Sequence, residues 1–502
     1  MRIFEKASQN KLWSRIIDAS AILFFALFVL GPLFFIFTQI GHFSFSSQML
    51  DALFVSFSIA ALVTAVDLLF GIPLAWLLSR KKFRMKWLVD ALIDLPLIIP
   101  TSALGLSIAL FWGANGLGIL APGIGMIIVL HIAFTFSYVV RTTQAAFLEI
   151  EPDLARAAAT LGASPLLSFR TIWLPLARAG AISGAVLAFT RSLGETGATM
   201  MVAGALMTVP VLTVYFKNST PPNIDAAISL SAIFLLISAL LFLLARRSAV
   251  VGRFRLGKIY ADAEKRLSKF GKYADATSLI FLFLMVIIPA FYFLRFSSAD
   301  IFSSRIIESI AISFGVAAAA TVLSVAFGLP LALLIASKGK WSWLLRLLVE
   351  MSLLMPTVTI GLSLSLFWAG KLNEAIVLVL AHVAMIFPYF VSPVGEVLSE
   401  MDNSLSQAGR SLGATPFYAF RTIVLPLIKP TLIAGIVVAF MRSVSETGGT
   451  LAVSSSISTI PILIVDLTKE GNTAGAASAA ILLLAISLIL VAILRSSQRK
   501  KR

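Results

Sequence analysis

The chain of 502 residues contains no cysteine. That excludes a disulfide framework, a thiolate metal site and a cysteine nucleophile. Histidine is scarce, with three in all, so neither an imidazole-held metal nor a cofactor is expected. Charge is scarce as well: Asp, Glu, Lys and Arg make up 13% of the chain, against about 25% in soluble domains. With 59% hydrophobic residues and a mean hydropathy of +0.97, the chain is neither disordered nor composed like a soluble enzyme. What it has instead are long apolar runs, which read as bilayer spans of about 20 residues.

Twelve such runs lie near 16–40, 53–78, 88–112, 124–140, 180–204, 226–245, 277–295, 309–336, 346–369, 374–394, 431–455 and 473–494. The first, Ile16 to Ile40, is too long for the core of a cleavable leader and reads as a retained span. Let the N-terminus be cytoplasmic and the spans alternate. Then 33 of the 40 Lys and Arg residues fall in cytoplasmic segments. Five fall outside (Lys217, Arg295, Arg305, Lys371 and Lys469), and Arg191 and Arg442 lie within spans. This is the positive-inside bias, and it places both termini in the cytoplasm of a multi-pass cell-membrane protein. The net charge of +16 is then topological, with some attraction to anionic lipid heads. Nucleic acid is not needed to explain it.

The chain repeats itself. Leu161-Gly162-Ala163-Ser164-Pro165 recurs as Leu412-Gly413-Ala414-Thr415-Pro416, and Phe169-Arg170-Thr171-Ile172-Trp173-Leu174-Pro175 as Phe420-Arg421-Thr422-Ile423-Val424-Leu425-Pro426, with an offset of 251. The same offset relates His131 to His382, Tyr138 to Tyr389, Arg191 to Arg442, Glu195 to Glu446 and Pro210 to Pro461. Phe70–Ala75 matches Phe327–Ala332 at a slightly larger one. Six spans separate the copies, so equivalent loops share a side and the repeats are parallel, with the path expected between them. The expected organisation is all-α, about twelve transmembrane helices in two six-helix repeats: residues 1–248, a basic cytoplasmic linker 249–275, and 276–502.

Two cytoplasmic loops, about Thr142–Leu176 and Ser392–Leu427, are more alike than the spans that flank them. Lipid-facing helices need only be apolar, so likeness in a loop points to function. The pattern predicts short helices punctuated by Gly162 and Pro165 and closed by Leu174-Pro175. Ala157, Ala158, Gly162, Ile172, Leu174 and Pro175 stand at the spacing of the EAA loop of binding-protein-dependent ABC importer permeases. Ala408, Gly413, Ile423, Leu425 and Pro426 repeat it, and Pro165 and Pro416 belong to the same motif. Arg156 and Gln407 occupy the family's Glu position, and Gly409 its second Ala. The chain thus resembles a fused pair of such permease domains, as in ferric iron and thiamine permeases. Arg191–Thr199, followed by Met201–Gly204, is similar to a segment of molybdate, tungstate and sulfate permeases; Arg442–Thr450 is a weaker copy.

The resemblance implies the type I ABC importer permease fold, coupling loops that seat in an ATP-hydrolysing subunit (two copies expected), and an extracytoplasmic solute-binding protein. It implies no catalysis by this chain. The implied cargo is a small inorganic ion, an oxyanion or ferric iron, with thiamine or another small solute as the alternative.

Arg191 and Glu195 are four residues apart, as are Arg442 and Glu446, so each pair can share a helical face. A charge inside the bilayer is costly and seldom kept without a partner. The pairs either lock helix packing or line and gate the path. Asp67, Asp94 and Glu350 also fall in or near spans, and Pro96, Pro100 and Pro356 should kink the third and ninth. His131 and His382 read as hydrogen-bonded structural residues. Gly252–Lys258 has P-loop spacing, but Ile259 stands where a Mg²⁺-binding hydroxyl is required. Any ATPase should therefore be a separate polypeptide. A twelve-span secondary transporter is the less favoured reading, because Ser79–Lys86 lacks the Gly and acid of the major-facilitator loop.

Overall fold

The computed structural model describes residues 11–499 except 40–44, 81–82, 252–270, 298–301, 338, 340 and 455. Among them there is no strand. The first half runs through α1 (Arg15–Thr38), α2 (Ser47–Arg80), α3 (Lys86–Ile98), α4 (Thr101–Trp112), α5 (Ile124–Leu148), α6 (Pro152–Thr160), α7 (Pro165–Leu193), α8 (Gly197–Val202), α9 (Val209–Asn218) and α10 (Ile224–Val251). The second half repeats it as α11 (Tyr273–Phe296), α12 (Ser304–Ala336), α13 (Ser342–Leu354), α14 (Thr357–Phe367), α15 (Glu374–Glu400), α16 (Asn403–Ser411), α17 (Pro416–Val444), α18 (Gly448–Val453), α19 (Ile460–Lys469) and α20 (Thr473–Arg499). Most of the expected linker lies outside the described residues.

Among the described residues ten helices are long and apolar enough to cross a membrane. The expected third and ninth spans are not continuous helices. Each is a bent pair, α3 with α4 at 107° and α13 with α14 at 106°. The cause is local. The ring of a proline drives the residue before it out of the helical region. Ile99 and Met355 accordingly take extended ψ values of 124° and 132°, and Pro100 and Pro356 restart the chain as N-caps. Prolines elsewhere are absorbed instead. Pro32, Pro175, Pro289 and Pro426 each follow a π-helical turn, at Phe25–Leu30, Phe169–Trp173, Leu282–Ile287 and Phe420–Val424. A widened turn makes room for a ring that lacks an N–H and crowds the preceding carbonyl. The expected closure of the loop at Leu174-Pro175 is therefore not seen: α7 runs on through it.

The expected spans 180–204 and 431–455 also stop early. α7 ends at Leu193 and α17 at Val444, and short helices α8 and α18 resume at Gly197 and Gly448.

In each half α2, α5 and α7 (α12, α15 and α17) pack together as the bundle core. The first helix of each half packs mainly on the other half's bundle, and within its own half touches the closing helix, α1 on α10 and α11 on α20. α1 lies on α12, α14 and α15, and α11 lies on α2, α4 and α5. Phe24 stacks on Phe327 at 4.0 Å, and its counterpart Phe281 stacks on Phe70 at 4.1 Å. Phe25 adds Phe387 at 5.4 Å and Phe28 adds Trp368 at 5.4 Å. Ser107 of α4 donates to the Pro289 carbonyl at 2.5 Å and accepts from the Phe293 amide at 3.0 Å. The halves are thus exchanged at their leading helices.

Candidate functional site

The paired loops are built from the same few residues twice. Gly162 (φ +84°) and Gly413 (φ +90°) end α6 and α16 in the left-handed region. The Ala163 amide reaches the Ala158 carbonyl at 3.0 Å and the Gly162 amide that of Ala159 at 3.0 Å. Ala414 to Gly409 and Gly413 to Arg410 do the same at 3.1 and 3.0 Å. This is a Schellman stop, which favours glycine because a side chain is strained there. Ser164 then caps the next helix by accepting from the Leu167 amide at 3.1 Å, and Thr415 from Tyr418 at 3.2 Å. Pro165 and Pro416 sit in the first turn, where a missing N–H costs nothing. Leu161 and Leu412 stand at the tips, 89% and 90% exposed.

Ala157 and Ala408 are exposed on α6 and α16, and Ala158 is half-buried. Ile172, Leu174, Ile423 and Leu425 are half-buried at the roots; Pro175 is half-buried and Pro426 exposed. In the first copy Trp173 packs edge-on against Trp76 at 5.0 Å, and the Arg80 guanidinium lies 3.6 Å over the Trp173 ring. Val424 replaces Trp173 in the second copy.

The ion pairs form as expected, but not on one continuous helix. Arg191 lies in the last turn of α7 and Glu195 in the break beyond it; Nη2 and Oε2 are 2.7 Å apart. Arg442 and Glu446 repeat this at 2.6 Å. Each carboxylate also accepts an amide from the helix that follows, Ala198 at 3.2 Å and Gly449 at 3.0 Å. The guanidinium of Arg191 lies 4.9 Å from the Phe134 ring centroid.

His131 fixes this corner. Its Nδ1 is 2.7 Å from Ser192 Oγ and its Nε2 3.0 Å from Thr199 Oγ1. His382 holds Ser443 and Thr450 at the same two distances. Each imidazole ties α5 or α15 to the end of the arginine-bearing helix and to the short helix beyond. The serines and threonines of this lock were not singled out from sequence, although each pair obeys the 251-residue offset. Of the other flagged acids, Asp67 accepts from Thr135 at 2.6 Å through one oxygen, Asp94 accepts from Arg141 at 2.7 Å, and Glu350 borders the cavity.

Between the halves lies a cavity of about 520 Å³, within the usual range for small-molecule sites, roughly 300–1,000 Å³. On the side of the paired loops it is bordered by Glu350, Pro393 and Thr431. At its far end stand Arg191, Arg442, Gly194, Tyr138 and Tyr389. Each arginine stands beside a tyrosine of the neighbouring helix, Arg191 beside Tyr138 and Arg442 beside Tyr389. Arg191 and Arg442 keep 18% and 20% of their side chains exposed, while Glu195 and Glu446 keep 5% and 4% and do not line the cavity. At this end the cations therefore face the space and their paired carboxylates back them, while Glu350 places a carboxylate at the loop-side border.

The family model described as "Binding-protein-dependent transport system inner membrane component" matches this chain twice, at residues 68–250 and 324–502. The sulfate transport system permease protein CysT of Salmonella typhimurium is 33% identical over 241 residues, which is 44% of this chain and 87% of that protein. The molybdate/tungstate transport system permease protein WtpB of Methanocaldococcus jannaschii is 29% identical over 236 residues, 46% of this chain and 93% of its own length. The molybdenum transport system permease protein ModB of Azotobacter vinelandii is 32% identical over 169 residues, 32% and 75% of the two chains. Each relative is spanned by less than half of this chain, as two fused copies require.

Proposed function

Because the chain belongs to the family of binding-protein-dependent transport inner-membrane components, we propose that it is a fused-dimer ABC importer permease that carries a small tetrahedral oxyanion through the space between its halves. The observation that carries the substrate class is the facing of charge: Arg191 and Arg442 line the cavity while Glu195 and Glu446 are turned away. A partly desolvated dianion gains most from fixed cations and donors where water is scarce. Tyr138 and Tyr389 lie within reach of the same space as further donors. The relatives named for sulfate, molybdate and tungstate transport support the same class.

In this reading the loops at Leu161 and Leu412 dock two copies of a separate ATPase subunit, and the termini share their cytoplasmic side. Loaded binding protein docks on the opposite face. ATP binding draws the two loops together and rocks the halves, so that the cavity opens alternately to each side. Both states must lie within a few kcal/mol for ligands to shift them. Hydrolysis is the partner's chemistry; this chain supplies the path and the lever.

The test is reconstitution with the cognate ATPase and binding protein in vesicles. ATP-dependent uptake of labelled sulfate, molybdate or tungstate is expected, with no accumulation when the ATPase is omitted. Uptake driven by an ion gradient alone, or of thiamine or ferric iron in place of all three oxyanions, would overturn the reading.

A further inference from the structure

Beyond the far end of the cavity the two halves meet residue to residue. A Cβ added to Gly197 would lie 2.5 Å from Cβ of Thr447, and one added to Gly448 would lie 2.9 Å from Cβ of Thr196. Each threonine is seated on the other half's glycine, a fit that any side chain there would prevent. Thr196 and Thr447 are 2% and 3% exposed, and neither hydroxyl has a hydrogen-bond partner among the described residues. A buried unpaired hydroxyl is costly, and valine would fill the same volume without that cost. Here the cost occurs twice, at positions related by the repeat, one residue beyond Glu195 and Glu446. Thr208 and Thr459 carry the same deficit; what sets Thr196 and Thr447 apart is their seat on the opposite half's glycines, beside the ion pairs.

We propose that this interlock is the shut end of the path, and that the Thr196 and Thr447 hydroxyls donate hydrogen bonds to the oxyanion when the interlock parts. The proposal rests on the oxyanion-permease reading above. Separation turns two useless donors into a facing pair on opposite walls, next to the arginines. The anion exchanges hydration water for O–H donors and then for Arg191 and Arg442. Reclosure reseats each threonine on its glycine, leaves no room between them, and moves the ion on into the cavity.

The absence of cysteine makes introduced thiols unique reporters. In vesicles carrying the complex with its ATPase, Thr196→Cys should resist a membrane-impermeant thiol reagent at rest. It should react at least tenfold faster when ATP and vanadate trap the complex with its binding protein. Equal reactivity in the two states overturns the seal. Thr196→Val with Thr447→Val keeps the methyl packing and removes both donors; oxyanion uptake should fall at least tenfold, and the corresponding pair of serine variants should restore most of it. Wild-type uptake by the valine pair overturns the donor role. Should the valine pair fail to assemble with the ATPase, Thr447→Val alone is read, with at least a threefold loss expected. Wild-type protein that takes up none of the three oxyanions counts against the functional reading and removes the donor role with it. The labelling arm needs no anion and judges the seal by itself.

Discussion

Arg442 and Glu446 are 2.6 Å apart with Glu446 buried, so removing one partner differs from removing both. Arg442→Met leaves a buried carboxylate uncompensated, a loss of roughly 3–5 kcal/mol. Arg442→Met with Glu446→Gln should be clearly more stable than the single variant, while oxyanion uptake stays low in both. Thermal unfolding in detergent and vesicle uptake read the two effects separately. His382→Leu deletes both hydrogen bonds of the lock, strands Ser443 in the interior and leaves Thr450 only the long bond to the Glu446 carbonyl at 3.5 Å. A destabilisation of about 1–3 kcal/mol is expected, together with loss of uptake through the displaced arginine. Asp402 gives a pH signature. The Ser404 hydroxyl and amide hold its carboxyl below the ordinary value. Its folded pKa is therefore lower than its unfolded one, near 4. The cap's contribution is whole above that unfolded value and is lost as pH falls through the lowered one. Hydrogen exchange over α16 should quicken below about pH 4, with no matching step in α6, whose Glu151 makes no side-chain cap; Asp402→Asn should abolish the step. The Arg–Glu pairs were legible in the sequence as charges four apart inside apolar runs. The histidine lock was only half legible, because serine and threonine inside a span look like any small residues until an imidazole is placed beside them.

At the scale of the element, the loop motif reads directly as instructions: glycine to stop, serine or threonine to cap, proline to begin. Gly162 and Gly413 have nothing within 4 Å of an added Cβ. Gly→Ala at both should therefore cost only the left-handed strain, about 1–2 kcal/mol per site, and leave insertion intact. ATPase stimulation by loaded binding protein should nevertheless fall several-fold, because the exposed Leu161 and Leu412 are aimed by those turns. Unaltered stimulation would show that the tips do not carry the coupling. What the sequence hid at this scale is breakage. A hydropathy window sums α3 and α4 into one apolar run and is blind to the turn at Ile99-Pro100. It likewise merges α7 with α8 across Gly194–Thr196. Proline at Pro175 looks like a stop and is passed through. Some prolines are absorbed after a widened turn and others, such as Pro73 and Pro330, inside an unbroken α-helix, and no residue pattern announces which will bend the chain.

At the scale of the molecule, the repeat was legible from about Phe70 and Phe327 onward, because matched stretches along a chain survive any folding. The exchange of leading helices was not, since apolar runs carry no address. That exchange predicts that the linker is dispensable for cohesion. A protease site placed within residues 252–270 and cut after assembly should leave both halves eluting together in mild detergent. Separation of the halves would contradict the clasp. Phe24→Ala with Phe281→Ala should remove two aromatic stacks, each worth about 0.5–1.5 kcal/mol beyond its buried area, and make the cut protein come apart at lower temperature. The two clasps also differ in time, though not in shape. When α11 leaves the ribosome, Phe70 and its neighbours are already in the bilayer to receive it. α1 enjoys no such welcome: about 300 residues separate Phe24 from Phe327, which is roughly 15–60 s of synthesis at 5–20 residues per second. For that interval the first helix must wait in lipid with Phe24 uncovered, touched within its own half by α10 alone among the stronger contacts, so the opening segment docks long after helices that follow it in the chain.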